Sequence, residues 1–231
     1  MLAAPPGRPV AVVTGVSSGI GEAIARRLLD EGWAVTGISR RRPALDDAHL
    51  TWVQADLLEP SVVEGVAADL PDPTAVVHAA GTLISAPLGA LDPDALDTMW
   101  RLHVDVPSRL VNALTPRLVD EGRIVLVGSR TSTGVADKSH YAATKAAQEA
   151  LGRSWAIELA PRRITVNVVA PGPTRTAMLH DPARAATPPA VPRLGRFVEP
   201  WEIADLVGFL LAPSGRSITG QRLVVCGGAS L

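Results

Sequence analysis

Short, unbroken apolar runs recur along the chain at 10–13, 34–38, 75–77, 124–127, 165–169 and 223–225. Their lack of alternation predicts strands buried on both faces, the pattern of a parallel sheet. Between them lie segments of helical spacing. After the first run, Ile20, Ala23, Ile24 and Leu28 share one helical face, Glu22, Arg26 and Arg27 point elsewhere, and Gly32 stands where the helix should end. Strand, turn and helix repeating in this order predict an α/β, Rossmann-type, doubly wound parallel sheet with helices on both faces. At 231 residues, 47% of them hydrophobic, the chain can bury a substantial core, and one domain over 10–231 is expected.

Charge excludes some partners. With 22 basic and 23 acidic residues the net charge is −1, so no global field attracts nucleic acid or an anionic membrane. The single cysteine, Cys226, cannot form an internal disulfide, no Cys/His cluster has zinc spacing, and no metal is expected. No apolar run approaches the 18 to 20 residues, roughly, that span a bilayer, and a soluble, cytoplasmic protein is expected. Residues 1–9 read as a flexible leader. Residues 177–198 hold Pro182, Pro188, Pro189 and Pro192, with Pro200 just beyond, which disfavours a regular core element there. A mobile substrate loop over a site is the expectation.

The turn Gly15, Val16, Ser17, Ser18, Gly19, Ile20, Gly21 closes the first strand and opens the first helix. Glycines there let backbone approach a pyrophosphate, and a helix start offers unpaired N–H groups and a positive dipole end. A tightly packed turn without a ligand is the plain alternative. The second strand ends in Ser39, Arg40, Arg41 and Arg42, with no carboxylate for a ribose 2′-hydroxyl and several guanidiniums able to grip a 2′-phosphate. NADP is therefore favoured, with NAD possible and a solvated basic turn as the alternative. Asp56, next to Leu57, can accept from an adenine amino group, and Ala79, Ala80 and Gly81 leave room for the adenosine.

Tyr141, the only tyrosine, stands four residues before Lys145 among strong helix formers, which places both side chains on one helical face. An ammonium beside a phenol favours the phenolate and makes tyrosine a usable acid or base. Ser129, just past a buried run, can hydrogen-bond a substrate oxygen as charge develops on it. Taken singly, a tyrosine and lysine at this spacing could be ordinary helix surface. The order of all these elements along the chain is what gives them weight.

Taken together these residues resemble the short-chain dehydrogenase/reductase family, in the manner of its 3-oxoacyl-carrier-protein-reductase-like members, from about residue 10 to residue 228. The likeness rests on the Thr14 to Gly21 turn, Asp56, Ala80-Gly81, Ser129, Tyr141 with Lys145, Asn167 and the Pro171-Gly172 step leading to Thr176. It implies Tyr141 as acid/base, Lys145 holding the nicotinamide ribose, Ser129 orienting substrate, and Thr174 and Thr176 beside the nicotinamide amide and phosphates. It also implies a homotetramer or homodimer. Thr131, Ser132, Thr133, Met178 and Leu179 are expected to face a small-molecule substrate.

The chain departs from the family pattern in places. His103 stands where the family usually has a helix asparagine whose carbonyl holds a relay water. Pro107, four residues on, cannot donate to the His103 carbonyl and is expected to kink the helix there. The imidazole then either braces the helix or joins the proton path as a catalytic group. His78 and Ala79 replace two common asparagines, and Cys226 reads as a buried filler. The expected function is NADPH-dependent reduction of a ketone to a secondary alcohol, or the reverse. The alternatives are an NAD-dependent alcohol dehydrogenase and a non-catalytic nucleotide sensor.

Overall fold

In chain order the elements are β1 (Val10–Thr14), α1 (Gly19–Asp30), β2 (Ala34–Ser39), β3 (Leu50–Gln54), α2 (Val62–Asp69), β4 (Ala75–His78), α3 (Pro93–Trp100), α4 (Val106–Leu114), β5 (Arg123–Val127), α5 (Ser139–Leu159), β6 (Thr165–Pro171), α6 (Pro200–Leu211) and β7 (Arg222–Val225). The structure is a computed structural model and describes residues 7–59, 61–180 and 189–231. All seven strands join one parallel sheet in the order β3-β2-β1-β4-β5-β6-β7. This is the expected doubly wound sheet.

Each central strand sends successive side chains to opposite faces. Val12, Ile38, Val76, Ile124, Leu126 and Val168 pack with Leu110, Leu114 and Leu159 on one face. Val13, Val35, Val77, Val125 and Val169 pack with Ile24, Leu28, Ile203 and Val207 on the other. Both faces are covered, which is why these strands read as continuous apolar runs. Periodicity misses β3 for the converse reason. It is one of the two edge strands, only part-buried along Leu50–Gln54, and the polar Thr51 and Gln54 interrupt it, so it shows no such run.

Helix boundaries follow local chemistry. Gly32 takes φ +84° just past α1, as a helix-terminating glycine should. Asp92 Oδ1 accepts from Asp94 N at 3.0 Å ahead of Pro93 at the start of α3. Between α3 and α4 the chain makes a π turn, Arg101–Asp105, in which Val106 N–H reaches the Arg101 carbonyl. The expected leader is corrected at its inner end: Arg8 Nη1 donates to Gly32 O at 2.8 Å and Pro9 O accepts from Ala34 N at 2.9 Å. Residues 1–6 lie outside the described residues. So do 181–188 of the expected loop, whose described flanks are a 3-10 turn at Ala177–His180 and a bridge between Thr174 and Val198.

Candidate active site

The strand order reverses between β1 and β4, so the connections leave in opposite directions and their carboxyl ends open a crevice. A cleft of about 740 Å³ fills that position. Its floor at one end is the glycine turn, where Gly15, Ser17, Ser18, Gly19, Ile20 and Gly21 all line it. Ser18 precedes α1 in extended conformation and makes no side-chain cap bond, which leaves first-turn N–H groups of α1 for another acceptor. Gly21 permits the closeness of this turn: a Cβ there would sit 2.3 Å from the Gly15 carbonyl oxygen. Gly15 adopts φ +78°, and its own Cβ would press on Ala80 N at 2.9 Å. Backbone donors facing open space suit a pyrophosphate, so these residues fit a dinucleotide.

Beyond the turn, Ser39, Arg40 and Arg41 line the cleft, whereas Arg42 does not. Ser39 Oγ is already engaged, donating to Arg41 O at 2.7 Å and accepting from Trp52 Nε1 at 3.1 Å. It shapes the turn, while the exposed guanidiniums of Arg40 and Arg41 form no ion pair among the described residues. Asp56 is the sole carboxylate among the described lining residues, beside Leu57, and its Oδ1 accepts from Leu58 N at 3.1 Å. Ala79, Ala80 and Gly81 form the opposite wall. Thr14 Oγ1 fixes that wall by accepting from both Ala79 N and Ala80 N, at 3.1 and 3.0 Å.

At the far end the cleft meets Ser129, Tyr141 and Lys145, all nearly buried. Ser129 follows β5 in extended conformation, and its Oγ accepts from Thr131 N at 3.2 Å and pairs with Thr131 Oγ1 at 2.9 Å. Tyr141 and Lys145 lie one turn apart on α5, with Lys145 Nζ 5.9 Å from the tyrosine ring centre. Burial pushes Lys145 down to about 7 from its usual 10.5. Its Nζ donates to Val127 O and to Gln148 Oε1, each at 2.9 Å.

Two buried histidines stand behind this end, and their bonds fix their tautomers. His78 Nε2 lies 2.9 Å from Leu102 O, which can only accept, so Nε2 carries the proton and Nδ1 accepts from Thr14 Oγ1 at 3.0 Å. His103 is the mirror case: Nε2 accepts from Thr82 N at 3.2 Å, so Nδ1 donates to Thr144 Oγ1 at 2.9 Å, which in turn donates to Tyr141 O at 2.9 Å. Burial, and then the Lys145 charge, push His78 down to about 3 and His103 well below the usual histidine range. Both rings are neutral, with both nitrogens engaged.

These facts correct two expectations. His103 does not line the cleft and has no ring nitrogen left to carry a relay, so of the two readings the geometry favours the brace over the catalytic one. It also packs edge-on to Tyr141, ring centres 5.5 Å apart. The helix carbonyl engaged from outside is that of Leu102, one residue earlier than expected. The π turn carries Val106 N–H past Leu102 to Arg101, Pro107 has no N–H to offer, and His78 takes the acceptor instead.

The remaining expected residues divide. Pro171, Gly172, Thr174, Thr176, Thr131, Met178 and Leu179 line the cleft. Thr174 Oγ1 donates to Gly172 O at 3.0 Å, bracing the step after β6. Ser132 and Thr133 do not line it: the Ser132 hydroxyl is turned into the protein, and Thr133 is exposed elsewhere on the same 3-10 turn. A period of three sends neighbouring side chains apart. Cys226 is buried as expected, but burial's upward push on its thiol is outweighed by hydrogen bonds from Ser230, Gly228 and Ala229, and it sits below its usual value. Sequence reasoning missed Gln148, Thr144 and Thr82. Gln148 stands three residues after Lys145, a spacing that could have marked it. Among the described residues no three His, Cys, Asp or Glu side chains gather as metal donors, and no helix is long and apolar enough to cross a membrane.

Known proteins resemble this chain along nearly its whole length. A family model described as enoyl-(acyl carrier protein) reductase matches residues 15–230. The 3-oxoacyl-acyl-carrier-protein reductase FabG of Vibrio cholerae is 34% identical over 235 residues, covering 95% of this chain and 96% of that protein. Among solved structures, a short-chain dehydrogenase family protein of Francisella tularensis is similar with a TM-score of 0.89 at 25% identity, over 97% of this chain and 99% of its own. A short-chain dehydrogenase of Burkholderia cenocepacia in complex with NADP gives 0.87 at 31% identity, over 96% and 98%.

Proposed function

The chain belongs to the short-chain dehydrogenase/reductase family and is an NAD(P)-dependent oxidoreductase of CH–OH and C=O groups; from that premise we propose that it reduces a ketone to a secondary alcohol with NADPH. The observation that carries this reading is one cleft with a glycine turn, Arg40 and Arg41 at one end and Ser129, Tyr141 and Lys145 at the other. Arg40 and Arg41 would hold the 2′-phosphate, and the α1 N-terminus the pyrophosphate. The relative that is a 3-oxoacyl-acyl-carrier-protein reductase and the neighbour bound to NADP support the same choice.

A bound nicotinamide would supply the hydride to the substrate's carbonyl carbon. Tyr141 gives its phenolic proton to the carbonyl oxygen as negative charge builds there. Ser129 donates to that oxygen, with Thr131 behind it to fix the hydroxyl. In its protonated form Lys145 places a positive charge beside Tyr141 and offers a proton to a ribose hydroxyl. Met178, Leu179 and Thr131 give the substrate end a mixed apolar and polar wall.

The test is NADPH oxidation against ketones, diketones and 3-oxoacyl thioesters, beside Tyr141→Phe. Turnover by the native chain that the variant lacks is the expected result. NADPH binding without turnover of any carbonyl would overturn the reductase reading in favour of a sensor.

A further inference from the structure

Of the 22 basic residues only two, Lys138 and Lys145, are lysines, and both line the cleft. Lys145 is 3% exposed, and no carboxylate pairs with it among the described residues. The titratable groups that face it are His78 from β4, His103 from the π turn and Tyr141 one turn earlier on α5, and both histidines are neutral. The groups that accept from the buried ammonium are Val127 O at the end of β5 and Gln148 Oε1, with the Tyr141 ring 5.9 Å from Nζ.

Gln148 is itself fully buried, and its amide nitrogen has no hydrogen-bond partner among the described residues. Burying an unpartnered amide donor costs free energy that an apolar side chain in this position would not incur. The compensating contact is the one its carbonyl makes with Lys145. An ammonium carries three donors, so two acceptors leave one.

We propose that Gln148 is a positioning residue for Lys145: with the Val127 carbonyl it holds the ammonium beside Tyr141 by two of its three protons and leaves the third for the cofactor ribose. The catalytic consequence rests on the proposed pairing of Tyr141 with Lys145. The effect on Lys145 itself does not. Removing the acceptor destabilises the charged form, so Lys145 loses its proton at lower pH; placing a carboxylate there does the reverse.

Because only two lysines exist, [ε-13C]lysine labelling of the free protein gives two signals, separated by Lys138→Arg. Lys145 is expected to titrate near pH 7 in the native chain. In Gln148→Met, of similar length without an acceptor, the midpoint should fall by about one pH unit, and in Gln148→Glu it should rise by about as much. The pH limb of NADPH-dependent turnover should move in the same two directions. A Lys145 midpoint indistinguishable from native in either folded variant overturns the proposal, as does a turnover limb that moves while that midpoint stays. If Gln148→Met does not fold, Gln148→Glu decides alone. An inactive protein on every carbonyl would sink the reductase reading and leave the lysine titration to judge Gln148.

Discussion

The two ends of the cleft are built from different materials. The proposed phosphate end is made mostly of backbone: glycines at 15, 19 and 21, a bare helix start, and arginines reaching in from an exposed turn. The proposed catalytic end is made of buried side chains, several held by residues far off in sequence: His103 by Thr144, 41 residues on, His78 by Leu102, 24 on, and Lys145 by Val127, 18 back. A backbone site tolerates side-chain exchange but not an added Cβ. A buried polar site loses stability when a partner is removed or an unpaired charge is added.

That contrast can be broken from either end. The largest effect belongs to Tyr141→Phe, which should lower turnover about a thousandfold while NADPH affinity, measured by fluorescence, changes little; parallel loss of binding would mean that the two ends are not separable. Next comes Gly21→Ala. Its Cβ would fall 2.3 Å from the Gly15 carbonyl, so chemical denaturation should show a loss of about 3 kcal/mol, and a variant as stable as native would show that the turn is looser than its spacing.

At the catalytic end, His78 titrates at about 3 in the folded protein against 6.5 unfolded. The unfolded chain takes up the proton first, so stability present above pH 6.5 is lost as pH falls toward 3, amounting to about 2 kcal/mol by pH 5. His78→Asn keeps a donor and an acceptor without a titrating ring, and the slope of denaturation midpoint against pH should flatten accordingly; an unchanged slope would place the acid sensitivity elsewhere. The smallest effect is at the solvent-exposed arginines: Arg40→Ala with Arg41→Ala should raise KM for NADPH about tenfold and leave that for NADH unchanged. Equal changes for both cofactors would remove the 2′-phosphate assignment.

The glycine turn is legible in the sequence as one contiguous segment, whereas the Ala79 to Gly81 wall is held against it by Thr14 only because β1 and β4 are neighbours in the sheet. Tyr141 and Lys145 are legible too, joined by one helical turn. Ser132 misleads, because a hydroxyl near Ser129 in sequence is turned away by the 3-10 turn. The edge strand β3 escapes notice because its exposed positions Thr51 and Gln54 are polar and break the apolar run.

The sequence by itself determined the parallel sheet, the glycine turn that opens α1 and the common helical face of Tyr141 and Lys145, because each depends on periodicity or spacing within a few residues. Only the tertiary structure decided which helix carbonyl His78 takes, that both nitrogens of His103 are occupied, and that Gln148 meets the Lys145 ammonium. Those outcomes depend on which buried polar groups are brought face to face when water is excluded, and a buried donor or acceptor takes the partner that packing supplies.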